Sequence, residues 1–326
     1  MVLASSENVV LLLICPRCRS SLLEGRRGFR CADPTCPYAV SDSFPIIGRW
    51  PVIVDFERSV LEREAVRHWS AVPEGVAISQ PLHRPGIERV PGLLRGIWKP
   101  LNHVAEHNIS RLLDMLPDRP SRVLVVGGGT CGNGLDRLYS TGADIEVIGL
   151  DLYGSGLTQL VADAHAIPLA TGSVDAVIVQ AVLEHVLAPM EVVAEIHRVL
   201  ADDGLVYAET PFMQQVHAGA YDFTRFTASG HRYLLRWFDE IDSGPVAGPG
   251  TQLLWSLDHL IRGLTRSRNA GRLVRALLFW LRLLDRHVDR AYALDGAAAV
   301  FFLGRRSGTE MTRNDIVAYY RGAQRA

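Results

Sequence analysis

Two close cysteine pairs, Cys15-Pro16-Arg17-Cys18 and Cys31-Ala32-Asp33-Pro34-Thr35-Cys36, are the first residues whose types and spacing suit a defined chemistry. Paired thiolates on neighbouring turns can hold a tetrahedral Zn2+, with Cys15, Cys18, Cys31 and Cys36 as the four ligands. Four protein ligands leave no position for a reactive water, so such a zinc is structural, and its binding is also folding free energy. Disulfides are the competing reading. The apolar run Val9 to Ile14 is short, follows no basic residue and ends at Cys15-Pro16, so no secretory leader is read there and reduced thiols are expected.

A second set of chemical positions begins at Val123. Val123 to Val126 read as a buried strand, Gly127-Gly128-Gly129-Thr130-Cys131-Gly132 as the turn leaving it, and Ile145 to Leu150 as a second strand ending at Asp151. Parallel sheets bind ligands at the carboxyl ends of their strands, where glycines let the backbone approach a cofactor and an acid can accept from ribose hydroxyls. Gly127, Gly129 and Gly132 also match the spacing of the NAD-binding fingerprint, with Asp151 where its acid is expected. Either way the expected ligand contains adenosine.

The elements that position these residues follow from periodicity. Helices are expected over Arg58–Trp69 and Leu101–Leu116, separated by a Pro- and Gly-rich connector, Val72–Pro100. Strands Arg122–Val126, Glu146–Leu150, Leu160–Ala162, Val174–Gln180 and Leu205–Glu209 alternate with helices Gly132–Tyr139 and Met190–Leu200. This alternation implies an α/β, doubly wound sheet. Between Asp151 and Val161 there is barely room for a crossover helix, and Gly154 and Gly156 discourage one. Leu11–Ile14 and Phe44–Ile47 are expected to be strands flanking the cysteine knuckles.

The ordered series decides between cofactors. Ala162-Asp163-Ala164-His165, Ser173-Val174-Asp175-Ala176-Val177, Val182-Leu183-Glu184-His185-Val186, Glu195-Ile196-His197-Arg198-Val199-Leu200 and Asp203-Gly204-Leu205 follow the glycine turn. Over roughly Val123–Phe212 this resembles class I S-adenosylmethionine-dependent methyltransferases of the small-molecule type, and the cysteine module resembles Trm112-like zinc ribbons. The resemblance implies a Rossmann-like, mostly parallel sheet with an antiparallel last strand, Ala298–Leu303, preceded by Phe238–Val246. It implies that Gly127, Gly129 and Gly132 line the methionine and ribose side, Asp151 binds the ribose, Asp163 and Ala164 read adenine, and Gln180 faces the methionine end. The acid common in the first strand is Val125 here, so the methionine ammonium needs another partner.

The loop after the fifth strand, Glu209 to Thr227, carries His217, Tyr221, Asp222 and Arg225 between apolar anchors, a makeup that suits a pocket wall. His217 is read as a general base or acceptor positioner, Asp222 as its orienter and Arg225 as a contact for an anionic substrate group. Pairing of Asp222 with Arg225 to brace the loop is the bland alternative. His185 is read as packing, and Cys131 as a small turn residue.

Helices over Leu253–Leu264 and Leu273–Val288 form an insertion, about 251–293, that covers the core or lids the pocket. Arg275, Arg282 and Arg286 beside a wide apolar band also fit a membrane surface, so residues 273–290 are a candidate peripheral contact. The domains are therefore a zinc ribbon (1–56), a linker with cap helices (57–121), a methyltransferase domain (122–306) and a tail (307–326). The expected activity is methyl transfer to a small-molecule or lipid-linked acceptor, in the cytoplasm or peripheral to the membrane. A ribosomal RNA base methyltransferase and a non-catalytic zinc-ribbon adaptor with a decayed cofactor site are the alternatives. A net charge of −1 over 326 residues supplies no bulk attraction to nucleic acid.

Overall fold

The computed structural model describes residues 3–4, 6–69, 101–142 and 144–324. The connector expected over Val72–Pro100 lies outside the described residues. In the amino-terminal module, helix α1 (Ser6–Val10) precedes an antiparallel sheet of β1 (Leu22–Glu24), β2 (Gly28–Cys31), β3 (Phe44–Ile47) and β4 (Trp50–Pro51), in sequential order. Leu11–Ile14, expected as a strand, contributes only isolated bridges from Leu13 and Ile14. The chain turns there after α1, leaving Leu11 84% exposed.

The main sheet contains β5 (Ser121–Val126), β6 (Ile145–Asp151), β7 (Leu160–Val161), β8 (Val174–Gln180), β9 (Leu200–Pro211), β10 (Phe238–Ala247) and β11 (Ala299–Arg306). Its order is β7-β6-β5-β8-β9-β11-β10, with β11 antiparallel to both neighbours and the remaining pairs parallel. This is the Rossmann-like α/β arrangement that the alternation implies. Strand order reverses between β5 and β8, so a crevice opens at their carboxyl ends.

The apolar runs Val123–Val126 of β5 and Ala176–Val179 of β8 are continuous because both faces of these strands are covered there. Val123 and Val125 pack with Ala105, Ile109 and Leu112 of α3 (His103–Asp114; α2 is Arg63–Trp69). Asn102 caps α3, its side chain accepting from the Ala105 amide at 3.0 Å. Leu124 and Val126 face the other layer, where Val192 and Ile196 of the helix Pro189–Val199 join Phe29, Phe44 and Ile53 of the amino-terminal module.

That module is fused into the fold. Ala4 donates to the Val147 carbonyl and Ile53 to that of Val161, so the module borders the outer strands of the sheet at two levels. Trp50 lies over Gly154 and donates to the carbonyls of Ser155 (3.2 Å) and Thr158 (3.1 Å). It occupies the face that the missing β6–β7 crossover helix leaves open.

Three helix expectations need correction. The first begins at Arg63 rather than Arg58, because the chain is still turning at Phe56–Leu61. Gly132–Tyr139 shortens to α4 (Asp136–Tyr139), since Gly134 has φ +91°. With Pro189–Val199 as α5 and Ala228–Leu234 as α6, the insertion between β10 and β11 holds α7 (Pro249–Thr265), α8 (Arg268–Leu277) and α9 (Arg290–Asp295). The long helix expected to Val288 breaks at Leu278 into tighter turns over Phe279–His287. A last helix, α10 (Arg313–Ala318), lies in the tail. Among the described residues no helix is long and apolar enough to cross a membrane.

His231 of α6 is 2% exposed and its Nε2 has no hydrogen-bond partner, so burial pushes its pKa down to about 3. Its folded value lies below the unfolded value of about 6.5, so the fold holds the neutral ring. That contribution is complete above about pH 6.5 and is lost as pH falls toward 3, by about 1.4 kcal/mol per pH unit. Denaturant unfolding at pH 7 and pH 5 should show this loss, and His231→Leu should flatten the slope; an equal slope in the variant would contradict it.

Candidate functional site

A cavity of about 1360 Å³ opens at the carboxyl ends of β5, β6 and β8, walled by the loop after β9 and by the insertion. Gly127, Gly132, Asp151, Asp163, Ala164, Gln180 and His217 all border it. Gly129 stands behind this wall, its amide donating to Asp151 Oδ2 at 2.9 Å, while Leu152 donates to Oδ1 at 2.7 Å. Two backbone amides thus aim the Asp151 carboxylate.

The glycines have local reasons as well. Gly127 sits at φ +75°, and a Cβ there would lie 2.4 Å from Val182 Cγ2. A Cβ on Gly132 would lie 2.1 Å from Gln180 Oε1. Ala181 adopts φ +54° between these contacts, a strained conformation held at the cavity wall.

Asp163 is buried, and its carboxylate accepts from Ser59 Oγ at 2.5 Å and from the His165 amide and Nδ1 at 3.0 and 2.6 Å. Burial opposes its charge, but the bonds from His165 and Ser59 outweigh that and hold its pKa low. His165 rises in turn through its bond to Asp163, while its Nε2 accepts from Ala188 N–H at 3.1 Å. Ser59 comes from the segment joining the cysteine module to α2, and no sequence signal marked it.

Glu209, near the end of β9, is a second buried acid of this pocket. Asn102 Nδ2 donates to both its oxygens at 2.9 and 3.0 Å, and Tyr207 and Gln180 donate to Oε2 at 2.8 and 3.1 Å. Burial pushes its pKa up against these bonds. Val125, Gln180 and Glu209 share one face of the sheet, so an acid missing from the first strand is present two strands away. Asn102 and Glu209 are 107 positions apart, which hid the pair from sequence reading.

At the loop end, Asp222 accepts from the His217 backbone amide at 2.8 Å and lies 3.4 Å from His217 Nδ1. Its other main partner is Arg225, whose hydrogen bonds hold the Asp222 carboxyl far below the usual carboxylate range. Arg225 spends its remaining donors on the carbonyls of Gln214, Thr224 and Gln215. The expected substrate contact by Arg225 is therefore corrected to a loop brace: all its N–H groups are engaged, and it lies outside the cavity lining. Glu184 and His185 were not read as chemical positions. Glu184 is fully buried and its pKa is pushed up to about 8 by burial, while burial also lowers His185 and His217.

The sulfurs of Cys15, Cys18, Cys31 and Cys36 lie within 4.8 Å of one another, with Cys18–Cys31 at 3.3 Å and Cys15–Cys36 at 3.8 Å. Four thiolates about 2.3 Å from one zinc would stand roughly 3.8 Å apart, so the set fits the ion. Burial pushes the Cys15 and Cys31 thiols up, a penalty on the thiolates that a cation at the centre offsets.

Comparison with known proteins gives one family match: residues 124–208 match the methyltransferase domain family. No curated protein matches the chain. Among solved structures, a SAM-dependent methyltransferase from Archaeoglobus fulgidus is similar at 15% identity, covering 66% of this chain and 98% of that one, with TM-score 0.41. The 1,6-didemethyltoxoflavin-N1-methyltransferase of Burkholderia thailandensis, with bound 1,6-didemethyltoxoflavin and S-adenosylhomocysteine, is similar at 17% identity, covering 65% and 82%, with TM-score 0.39. The [4+2]-cyclase SpnF is similar at 17% identity, covering 63% and 82%, with TM-score 0.38. The chain carries a methyltransferase domain on a Rossmann-like sheet, and its activity is S-adenosylmethionine-dependent methyl transfer.

Proposed function

We propose that the protein binds S-adenosylmethionine with its adenine against Asp163 and Ala164, its ribose on Asp151 and its methionine end toward Gln180 and Glu209. The observation that carries this reading is the pair of carboxylates, Asp151 and Asp163, placed after consecutive strands on one cavity wall. Glu209 takes the place of the acid that Val125 lacks, accepting from the methionine ammonium. The cofactor supplies an electrophilic methyl group on a sulfonium. The chain holds donor and acceptor in line. His217 stands at the acceptor end, where the proton of a hydroxyl or ammonium acceptor leaves.

Calorimetry with S-adenosylhomocysteine, with NAD as control, tests the cofactor assignment; binding of NAD alone would overturn it. His217→Ala should leave S-adenosylhomocysteine affinity within about twofold and lower turnover by about 100-fold or more. Unchanged turnover would remove His217 from the reaction.

The Cys15, Cys18, Cys31 and Cys36 module is proposed to be a Trm112-like ribbon holding one structural zinc. The acceptor is proposed to be lipid-linked, on one observation. The insertion lines the cavity with Trp255 and Arg282 while exposing Leu260, Leu264, Leu273, Leu277 and Trp280 outward. Exposed apolar side chains interleaved with the exposed Arg266, Arg268, Arg272 and Arg286 suit an anionic bilayer surface. Arg275 and Arg282 are only partly exposed, Arg275 lying 3.8 Å from Asp258, so they belong to the inner side. The protein should float with phosphatidylglycerol liposomes, and replacing Arg266, Arg268 and Arg272 by Glu should abolish this. Flotation unaffected by charge reversal would reject an electrostatic membrane contact.

A further inference from the structure

The acceptor end of the cavity contains a group of atoms that hydrogen bonding does not explain. Glu184 is 0% exposed, and neither of its carboxylate oxygens has a hydrogen-bond partner. Nε2 of His185 lies 3.6 Å from Glu184 Oε1, and Nε2 of His217 lies 3.7 Å from the same oxygen. The three ligand-type atoms fall within 4.8 Å of one another. An oxygen that no donor reaches is costly in a buried site, and it is a reason to look for a missing positive charge.

The outer nitrogens of the two rings supply the second observation. His185 Nδ1 lies 2.7 Å from the Tyr221 carbonyl oxygen. A carbonyl only accepts, so Nδ1 carries the hydrogen, and in the neutral ring the Nε2 lone pair points toward Glu184. His217 Nδ1 lies 3.4 Å from Asp222 Oδ2 without a hydrogen bond, a charge contact that favours a proton on that nitrogen. Arg225 holds Asp222 in place from behind. His185, with its Nδ1–H anchored on a carbonyl and its Nε2 turned toward Glu184, has the arrangement that orients a metal ligand.

We infer that Glu184, His185 and His217 form a binding site for a divalent first-row transition-metal ion at the acceptor end of the methyltransferase cavity. Two imidazoles and one carboxylate are a recognised ligand set that leaves coordination positions open. Ligands about 2.0–2.1 Å from a four-coordinate zinc stand roughly 3.3 Å apart, and the two His–Glu separations of 3.6 and 3.7 Å lie close to that spacing. His185 and His217 border the cavity, so the open positions face the acceptor. This site is distinct from the cysteine set, which is closed by its own four ligands.

The inference rests on the reading of this cavity as the methyl-transfer site and names what the acceptor end recognises: a hydroxyl or similar oxygen able to ligate a cation. An acceptor hydroxyl on the ion becomes more acidic and gives its proton to water. The resulting oxygen nucleophile forms the new O–CH3 bond as the sulfonium S–CH3 bond breaks, releasing S-adenosylhomocysteine. His217 then acts as a ligand, and its proton-accepting role passes to solvent.

The test is metal stoichiometry on the full-length protein equilibrated with Zn2+ and freed of excess, read by elemental mass spectrometry, alongside calorimetry with S-adenosylhomocysteine. The wild-type chain should hold two zinc ions, and Glu184→Gln and the double variant His185→Ala, His217→Ala one each, with S-adenosylhomocysteine affinity retained. One zinc per wild-type chain, or two in both variants, overturns the inference. The wild-type count alone decides if a variant fails to fold. Loss of S-adenosylhomocysteine binding by the wild type would instead defeat the methyltransferase reading, whatever the count.

Discussion

Asp151→Ala is expected to weaken S-adenosylhomocysteine binding by more than about 100-fold. The carboxylate is aimed by the amides of Gly129 and Leu152, so it meets the ribose already oriented. Hydrogen bonds to a charged group are worth about 1.5–3 kcal/mol each, and two ribose hydroxyls give about 3–6 kcal/mol. The alanine variant also leaves two amides without their acceptor, which loosens the glycine turn. Asp163→Asn should cost less, about 10-fold, because Ser59 and His165 still hold the side chain in place. Calorimetry on both variants reads the difference. Full affinity in Asp151→Ala would place the cofactor elsewhere.

Loss of the metal proposed for the cysteine set is expected to reach the cofactor site. Structural zinc contributes about 10–16 kcal/mol in isolated finger peptides, comparable to the whole stability of a typical native protein. The module's Cys15, Phe29, Tyr38 and Phe44 belong to the same buried cluster as Leu124 and Ile148 of the main sheet. Ile53 donates to the Val161 carbonyl of β7, and Ser59 donates to Asp163. Cys15→Ser with Cys31→Ser should therefore lower the melting temperature by about 10 °C or more. It should also weaken S-adenosylhomocysteine binding at least tenfold. A module that melts alone, leaving affinity unchanged, would show that it merely sits beside the domain. Trp50→Ala is a milder version of the same break, since it removes both bonds to the Ser155–Thr158 turn.

Much of the sheet was legible because its signals are local. Continuous apolar runs at Val123–Val126 and Ala176–Val179 report strands covered on both faces, and the glycine turn reports a backbone that must bend sharply at Gly127. Short apolar segments were less legible. Leu11–Ile14 has the composition of a strand, but its backbone finds only two bridge partners, Leu169 on a distant segment and Ser21 just beyond the first cysteine pair. The stretch Leu273–Val288 has helical spacing, yet it breaks at Leu278 where Asp285 turns back to accept from the amides of Gly248, Gly250 and Thr251. Arg225 shows the same limit in chemistry: its residue type suits an anion, and only its neighbours reveal that every donor is engaged.

The amino-acid sequence alone determined the doubly wound sheet, the acids after its strands and the two cysteine pairs, since each depends on neighbours a few residues away. Tertiary structure decided that the cysteine module stands in for a missing crossover helix, that Glu209 meets Asn102, and that Glu184, His185 and His217 converge on one point. The physical reason is that these contacts join segments separated by tens of residues or more. Packing of the whole sheet sets which side chains meet there, and no periodicity or local spacing records it.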